Sequence, residues 1–185
     1  MRRALLAFAL LFTGTSGGLA ASFIWDGGST VDSNFFTPEN WVGDVAPTPG
    51  DSNNIIHLAG TARTTINLDA NVQLDQFYVD SGAGAFAIQS TGGSKIIFNG
   101  PTFSDPYIVN NSSNPFRFQV DVDYNKADKE TRTRDGEDII VDVGSTLTVN
   151  QKLSVRFGTP TRAFIIDGSL AGNGTAMLQS NASPM

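Results

Sequence analysis

After residue 60 the chain consists of short segments in which apolar and polar residues alternate, with turn-forming residues between one segment and the next. Alternation with a period of two places one side of an extended strand against a core and the other side in water. The apolar members of these segments are Ile66, Leu68, Val72, Leu74, Phe77, Val79, Phe86, Ile88, Ile96, Phe98, Phe116, Phe118, Val120, Val122, Ile139, Val141, Val143, Leu147, Val149, Leu153, Val155, Phe164 and Ile166. The pattern predicts an all-β fold built from many short strands.

The spacing of these segments predicts how the strands are arranged. Ile66 and Phe86 lie about 20 residues apart, and so do Ile96 and Phe116, an interval typical of solenoids and repeat arrays. Gly-Gly, Asn-Gly and Asp-Gly pairs between the segments favour tight turns, and no stretch has helical periodicity. We therefore predict a parallel β-helix, or β-solenoid. The alternative is an antiparallel β-sandwich, because short strands spaced by roughly 8–12 residues also fit that fold.

The first 21 residues have the pattern of a secretory signal peptide. Arg2 and Arg3 form a positive n-region, residues 4–12 an apolar h-region, and the small residues up to Ala21 a cleavage site after Ala20 or Ala21. The apolar run is too short to span a bilayer, which takes about 20 residues. The sequence therefore predicts an exported protein, located in the periplasm, at the cell surface or outside the cell, without a membrane span.

Residues 22–60 differ in composition from the rest and are predicted to form an N-terminal cap. Both tryptophans, Trp25 and Trp41, lie here among turn-forming residues. A solenoid needs such a cap because its end would otherwise offer unpaired backbone groups to other chains. Packing in the cap is the favoured role of the two rings, and a sugar-stacking platform is the ligand-binding alternative. The predicted organisation is thus a signal peptide (1–21), a cap (22–60) and β-solenoid rungs (61–185).

Charge and cysteine content exclude several classes of partner and site. Without Arg2 and Arg3 the chain keeps ten basic residues against 18 acidic ones, a net charge of −8, so nucleic acid is not expected as a partner. The absence of cysteine excludes disulfides and thiolate zinc sites. No cofactor is therefore predicted, apart from the calcium ion considered below.

Several short motifs resemble a known family. They are Ile24-Trp25-Asp26-Gly27-Gly28, Asn40-Trp41-Val42-Gly43, Ala46-Pro47, Pro49-Gly50-Asp51, and the later stretches Val143–Val149 and Asp167–Thr175. Together they resemble bacterial autotransporter-associated beta strand repeat proteins. The resemblance implies a right-handed parallel β-helix in an exported or cell-surface protein, and it implies no catalytic residues. Such proteins run through more repeats and end in a barrel or sorting tail, so we expect a truncated or partial solenoid, or an open end covered by another chain.

One group of carboxylates is the candidate metal site. Residues 116–123 read as one long strand whose outward side chains include Asp121 and Asp123, and Asp142 lies outward on a later strand. Closely spaced oxygen ligands are what Ca²⁺ requires, and a lyase built on a β-helix would place such a cluster beside a basic residue. The alternative is a solvated strand face, which must also be polar.

Two other features are interpreted structurally. The charged run 126–138 carries both signs of charge and is predicted to be a solvated loop. His57 is the only histidine, and its neighbours Ile55, Ile56 and Leu58 favour a structural role over membership of a Ser-His-Asp triad.

These observations predict a non-catalytic exported or cell-surface scaffold that acts in adhesion. Its expected partners are a surface glycan or another surface protein, with end-to-end self-association as a further expectation. Two alternatives come from other classes: a polysaccharide lyase or hydrolase that uses the outer Asp/Arg face, and a carbohydrate-binding module that uses Trp25 or Trp41.

Overall fold

The computed structural model describes residues 20–100, 108–125, 129–133, 137–157 and 162–180. The predicted signal peptide, apart from residues 20 and 21, lies outside this range. In the described ranges no helix combines the length and hydropathy that crossing a bilayer requires. The strands are β1 (Ala21–Trp25), β2 (Asn54–Leu58), β3 (Thr65–Asn67), β4 (Val72–Leu74), β5 (Gln76–Val79), β6 (Ala87–Gln89), β7 (Lys95–Phe98), β8 (Ile108–Asn110), β9 (Phe116–Gln119), β10 (Asp121–Tyr124), β11 (Lys129–Thr133), β12 (Ile139–Val141), β13 (Thr146–Val149), β14 (Lys152–Phe157), β15 (Phe164–Ile166), β16 (Ser169–Ala171) and β17 (Thr175–Ser180). A single 3₁₀ turn, Pro38–Asn40, lies in the described part of the cap.

The strands form three parallel sheets around one core. Sheet A has the order β1-β2-β5-β8-β11-β14-β17, sheet B has β15-β12-β9-β6-β3, and sheet C has β16-β13-β10-β7-β4. The chain visits sheets A, B and C in turn, and each such circuit is called a rung: β2–β4 form the first rung, β5–β7 the second, β8–β10 the third, β11–β13 the fourth and β14–β16 the fifth. Neighbouring strands within each sheet pair in parallel, so the predicted β-solenoid is confirmed and the antiparallel sandwich is excluded.

Alternation along each strand builds the core. In sheet B the inward residues Ile66, Ile88, Phe118 and Val141 stack from rung to rung and are fully buried. Each such side chain contributes about 1.5–3 kcal/mol through removal of apolar surface from water. Aromatic rings fill the wider part of the interior, where the rings of Phe77 and Phe116 stack at 5.2 Å. The period-two pattern therefore positions the core, and the opposite side chains form the outer faces.

The cap closes the first end of the coil. Strand β1 pairs with β2 at the edge of sheet A. The chain then folds across the end of the core, where Trp25, Phe35 and Trp41 are at most 1% exposed. Strand β2, which pairs with β5 in sheet A, lies within residues 22–60, the segment predicted as the cap.

Two sequence interpretations need correction. The apparent long strand 116–123 is two strands, β9 in sheet B and β10 in sheet C, with a corner at the buried Val120. The charged run 126–138, predicted as a loop, contains β11, which pairs with β8 and β14. Backbone hydrogen bonding on both sides provides strand structure there without a run of apolar residues.

Candidate functional site

The two tryptophans that were candidate ligand residues are interior residues of the cap. Trp25 is 0% exposed and Trp41 1% exposed, and their rings meet edge to face at 5.2 Å. The indole N–H of Trp41 donates a hydrogen bond to the carbonyl of Phe35 at 2.6 Å. A ring without an exposed face cannot stack on a sugar, so packing in the cap accounts for both rings and any glycan site has to lie elsewhere.

The three aspartates that were the candidate metal ligands are dispersed. Asp121 and Asp123 lie on the outer face of sheet C, whereas Asp142 is the first residue of the corner after β12, an inner strand of sheet B. The corner at Val120 causes this separation, because it turns the chain from one sheet into the next. Within the described residues no group of three or more acidic or histidine side chains could hold a metal ion. The predicted calcium cluster is therefore not formed.

Two of these carboxylates form ion pairs with basic side chains instead. The Nζ of Lys95 lies 2.5 Å from Oδ2 of Asp123, whose side chain is 12% exposed. The guanidinium of Arg117 lies 2.5 Å from Oδ1 of Asp142, and the other oxygen of that carboxylate accepts a hydrogen bond from the amide of Gln119 at 2.9 Å. Each pair joins neighbouring rungs, so these residues neutralise one another across the strand ladder.

His57 lies on the outer face of sheet A. Its ring stacks on Tyr78 of the next rung with centroids 4.8 Å apart, and Nδ1 lies 3.1 Å and 3.2 Å from the two oxygens of Asp80. Its strand neighbours Ile56 and Leu58 point into the core. His57 thus joins two rungs through stacking and an Asp contact.

In the cap, a loop carboxylate has a shifted pKa. Hydrogen bonds from the hydroxyl of Thr37 and from the backbone N–H of Asn34 hold the pKa of Asp32 below its ordinary value of 3.8. Both donors favour the ionised carboxylate. The ionised form of Asp32 therefore helps to fix the loop that carries Phe35.

A notch in the outer surface lies where the chain turns from sheet B into sheet C. In the second rung this corner takes residues 90–94, and in the fourth rung it takes residues 142–145. In the third rung Val120 alone separates β9 from β10. The short third corner is thus flanked by two longer ones, about two strand spacings or 9–10 Å apart. The flanking loops form walls, and the third rung forms a floor between them.

The notch has a volume of about 170 Å³ and a polar lining. Its lining residues are Ser90, Gly93, Ser94, Gln119, Val120, Asp121, Gly144 and Ser145. Only one of the three predicted metal ligands, Asp121, belongs to it. Sequence reasoning did not find the notch, because it depends on the relative lengths of corners that become adjacent only after three rungs have stacked.

Buried asparagines are a second feature that the sequence analysis missed. Asn110 is fully buried, and its amide donates to the carbonyls of Asn114 and Glu137, each at 3.0 Å, while its Oδ1 accepts the backbone N–H of Ser112 at 2.9 Å. Asn40 has a similar role in the cap, where its amide bonds the backbone of three loop residues. These side chains satisfy backbone groups at corners, where strand ladders are interrupted.

Comparison of the chain with protein-family models, with curated proteins and with solved structures finds no match.

Proposed function

We propose that this chain is a non-catalytic, exported or cell-surface β-solenoid scaffold of the adhesin type, related to bacterial autotransporter-associated repeat proteins. The observation that carries the proposal is the outer surface of the coil. Two pairs of charged side chains, Lys95–Asp123 and Arg117–Asp142, join neighbouring rungs across this surface. Such a surface suits extended contact with a partner, whereas catalysis requires an acid, base or nucleophile aimed at one point.

One feature of the sequence and one of the structure support export. The n-region, h-region and small-residue cleavage site have the order of a secretory signal. Cleavage after Ala20 would leave β1 whole, since that strand begins at Ala21.

The test of export is fractionation of a bacterial host that expresses the full chain. We expect the protein in the periplasm or the medium, with a mature N-terminus at Ala21 or Ser22 by mass spectrometry. Phe8→Arg, which places a charge in the h-region, should keep the protein in the cytoplasm, and the matched control Phe8→Leu should not. Full-length protein in the cytoplasm in all three cases would contradict the proposal.

The test of adhesion uses particles coated with the mature protein. We expect these particles to bind cells or extracellular polymers and to release no products from polysaccharides during long incubation. Appearance of unsaturated sugar products from polygalacturonate would favour the lyase alternative, in which Asp and Arg of the outer face act on the substrate.

The second end of the coil supports the proposed self-association. Among the described residues β15, β16 and β17 pair on one side only, and the inward Leu170 is 59% exposed, although its partner Leu147 in the previous rung is buried. Unpaired strand edges with apolar side chains favour addition of further strands. Sedimentation velocity of the mature protein should therefore show association with rising concentration, and Leu170→Lys should weaken it. Monomer at all concentrations would contradict this part of the proposal.

A further inference from the structure

We propose that the notch between the second and fourth rungs is a binding site for one residue of a neutral glycan. This inference rests on the proposed surface function, because glycans are the polymers that a surface protein meets, but it is carried by the geometry of the notch itself. The floor is formed by Gln119, Val120 and Asp121. A closed cavity of about 150 Å³ holds a benzene molecule. A sugar residue is larger than benzene, so the notch of about 170 Å³, which is open to solvent, receives one side of a sugar ring while its other substituents remain outside.

The walls of the notch are held in place before any ligand binds. In the second rung the hydroxyl oxygen of Ser90 accepts hydrogen bonds from the backbone of Gly92 and Ser94. In the fourth rung Gly144 adopts a φ of 89°, a conformation that other residues rarely take, and the backbone N–H of Ser145 donates to the carbonyl of Asp142 at 3.1 Å. A site ordered in advance loses less entropy on binding.

The fifth rung supports the wall formed by the fourth. The backbone N–H of Ser169 donates to the carbonyl of Ser145 at 2.9 Å. Gly168 approaches so closely that a Cβ placed there would lie 2.1 Å from the same carbonyl oxygen. Only glycine allows this contact, which leaves the wall little freedom to move away from the notch.

The lining offers hydrogen-bonding groups that the protein has not used. Oδ1 of Asp121 accepts the backbone N–H of Thr146 at 2.7 Å, and Oδ2 has no hydrogen-bond partner among the described residues. The amide nitrogen of Gln119 donates to Asp142, and its carbonyl oxygen points to no described donor. The hydroxyls of Ser94 and Ser145 are likewise without described partners. A polar lining of acceptors and hydroxyls matches the hydroxyl groups around a sugar ring.

Charge selects against an acidic sugar. Lys95 and Arg117, the basic residues nearest in sequence to the lining, are paired with Asp123 and Asp142. The carboxylate of Asp121 has only a backbone N–H as its described hydrogen-bond partner, and Lys95, its register partner in the neighbouring strand, directs its ammonium to Asp123. The lining therefore contains one carboxylate and no basic side chain. A uronate would meet repulsion there, whereas a neutral sugar can donate its hydroxyls to the carboxylate in charge-assisted hydrogen bonds. One exposed apolar side chain, Val143 at 82%, precedes Gly144 at the rim and is available to the C–H face of a ring.

The test is titration of the ¹⁵N-labelled mature protein with cellotriose, maltotriose and triacetylchitotriose, and with trigalacturonate as the acidic comparison. We expect at least one neutral trisaccharide to shift the amide signals of Gly93, Gly144 and Ser145 saturably, also in the presence of a calcium chelator. Asp121→Asn should weaken this binding about tenfold through loss of a charge-assisted hydrogen bond. Asp167→Asn is the matched control, since it removes an exposed carboxylate from the same corner of the fifth rung, outside the lining.

Several results would overturn the assignment. They are the absence of saturable shifts with every neutral probe, equal or tighter binding of trigalacturonate, a requirement for Ca²⁺, or an equal loss in Asp121→Asn and Asp167→Asn. Circular dichroism of both variants verifies folding, because both positions are exposed. If the protein is exported and adhesive but binds none of the sugars, the glycan site in the notch is refuted and the proposed function is not. If the protein binds a sugar in the notch but stays in the cytoplasm, the proposed function is refuted and the glycan site is not.

Discussion

The two tryptophans of the cap differ in the hydrogen bonding of the indole N–H, and matched substitutions can measure the effect of that difference on stability. The indole N–H of Trp41 donates to the carbonyl of Phe35, and both residues are buried. The indole N–H of Trp25 is also buried but has no hydrogen-bond partner in the described structure. Replacement of either ring by Phe removes a similar volume from the cap. Only Trp41→Phe also leaves a buried carbonyl without its donor.

The expected difference follows from the cost of an unsatisfied buried polar group. Loss of the donor to Phe35 should cost about 1–3 kcal/mol, because that carbonyl accepts no other described hydrogen bond. Trp25→Phe removes a buried N–H that has no hydrogen-bond partner among the described residues, and so removes the free-energy cost of burying that group. Both variants also lose packing, and Trp41, which contacts the rings of Phe23, Trp25 and Phe35, loses at least as much as Trp25. Trp41→Phe should therefore lower the free energy of unfolding by at least about 1–3 kcal/mol more than Trp25→Phe.

Urea denaturation followed by far-ultraviolet circular dichroism measures both free energies. The slopes of the two transitions must agree for the comparison to hold, since they report the surface exposed on unfolding. Fluorescence of the remaining tryptophan in each variant reports the cap separately from the rungs. Equal destabilisation, or a larger loss in Trp25→Phe, would refute the role assigned to the hydrogen bond.

Three further predictions concern the core, a corner and the cap loop. Phe118→Ala should lower the free energy of unfolding by about 3–5 kcal/mol, because it opens a cavity at a fully buried position. Gln119 is the next residue and is exposed, so Gln119→Ala should lower it by about 0.5 kcal/mol or less. Similar urea midpoints for the two variants would contradict the assignment of Phe118 to the core and Gln119 to the outer face. Asn110→Leu should lower the melting temperature strongly, because it leaves several buried backbone groups without hydrogen-bond partners. An unchanged melting temperature by calorimetry would contradict this role of Asn110. The folded-state pKa of Asp32 is lowered, so its contribution to stability is present above pH 3.8 and is lost as pH falls through the folded value. The stability gap between the natural chain and Asp32→Asn should close in acid, and a gap that widens would contradict this sign.

The inward residues could be predicted from the sequence because alternation alone determines them. Ile66, Ile88 and Phe118 were identified by their period of two, and they form one ladder in sheet B. The corner at Val120 could not be predicted in the same way. Phe118, Val120 and Val122 all point inward, so the alternation continues unbroken through the turn and no glycine or proline marks it.

That corner also explains why the candidate metal site failed and the notch was missed. A continuous strand would place Asp121 and Asp123 in line with Arg117 and Gln119, but the turn moves them to another sheet. Which corners become neighbours depends on the whole circuit of the chain, and the lengths of those corners then shape the surface. Residue type alone therefore indicated polar outer faces but not the places where they form a recess.

The stacking of rungs in register is tested most directly by distances along one ladder. Thr65, Ala87, Arg117, Ile140 and Ile165 are successive partners on the outer face of sheet B. The chain has no cysteine, so pairs of spin labels at Thr65 and Ile140 and at Thr65 and Ile165 can be introduced without background. With about 4.8 Å per rung, electron–electron dipolar spectroscopy should give backbone separations of about 14 Å and about 19 Å, the second longer by one rung. Equal distances, or a shorter distance for Thr65 and Ile165, would contradict the parallel coil.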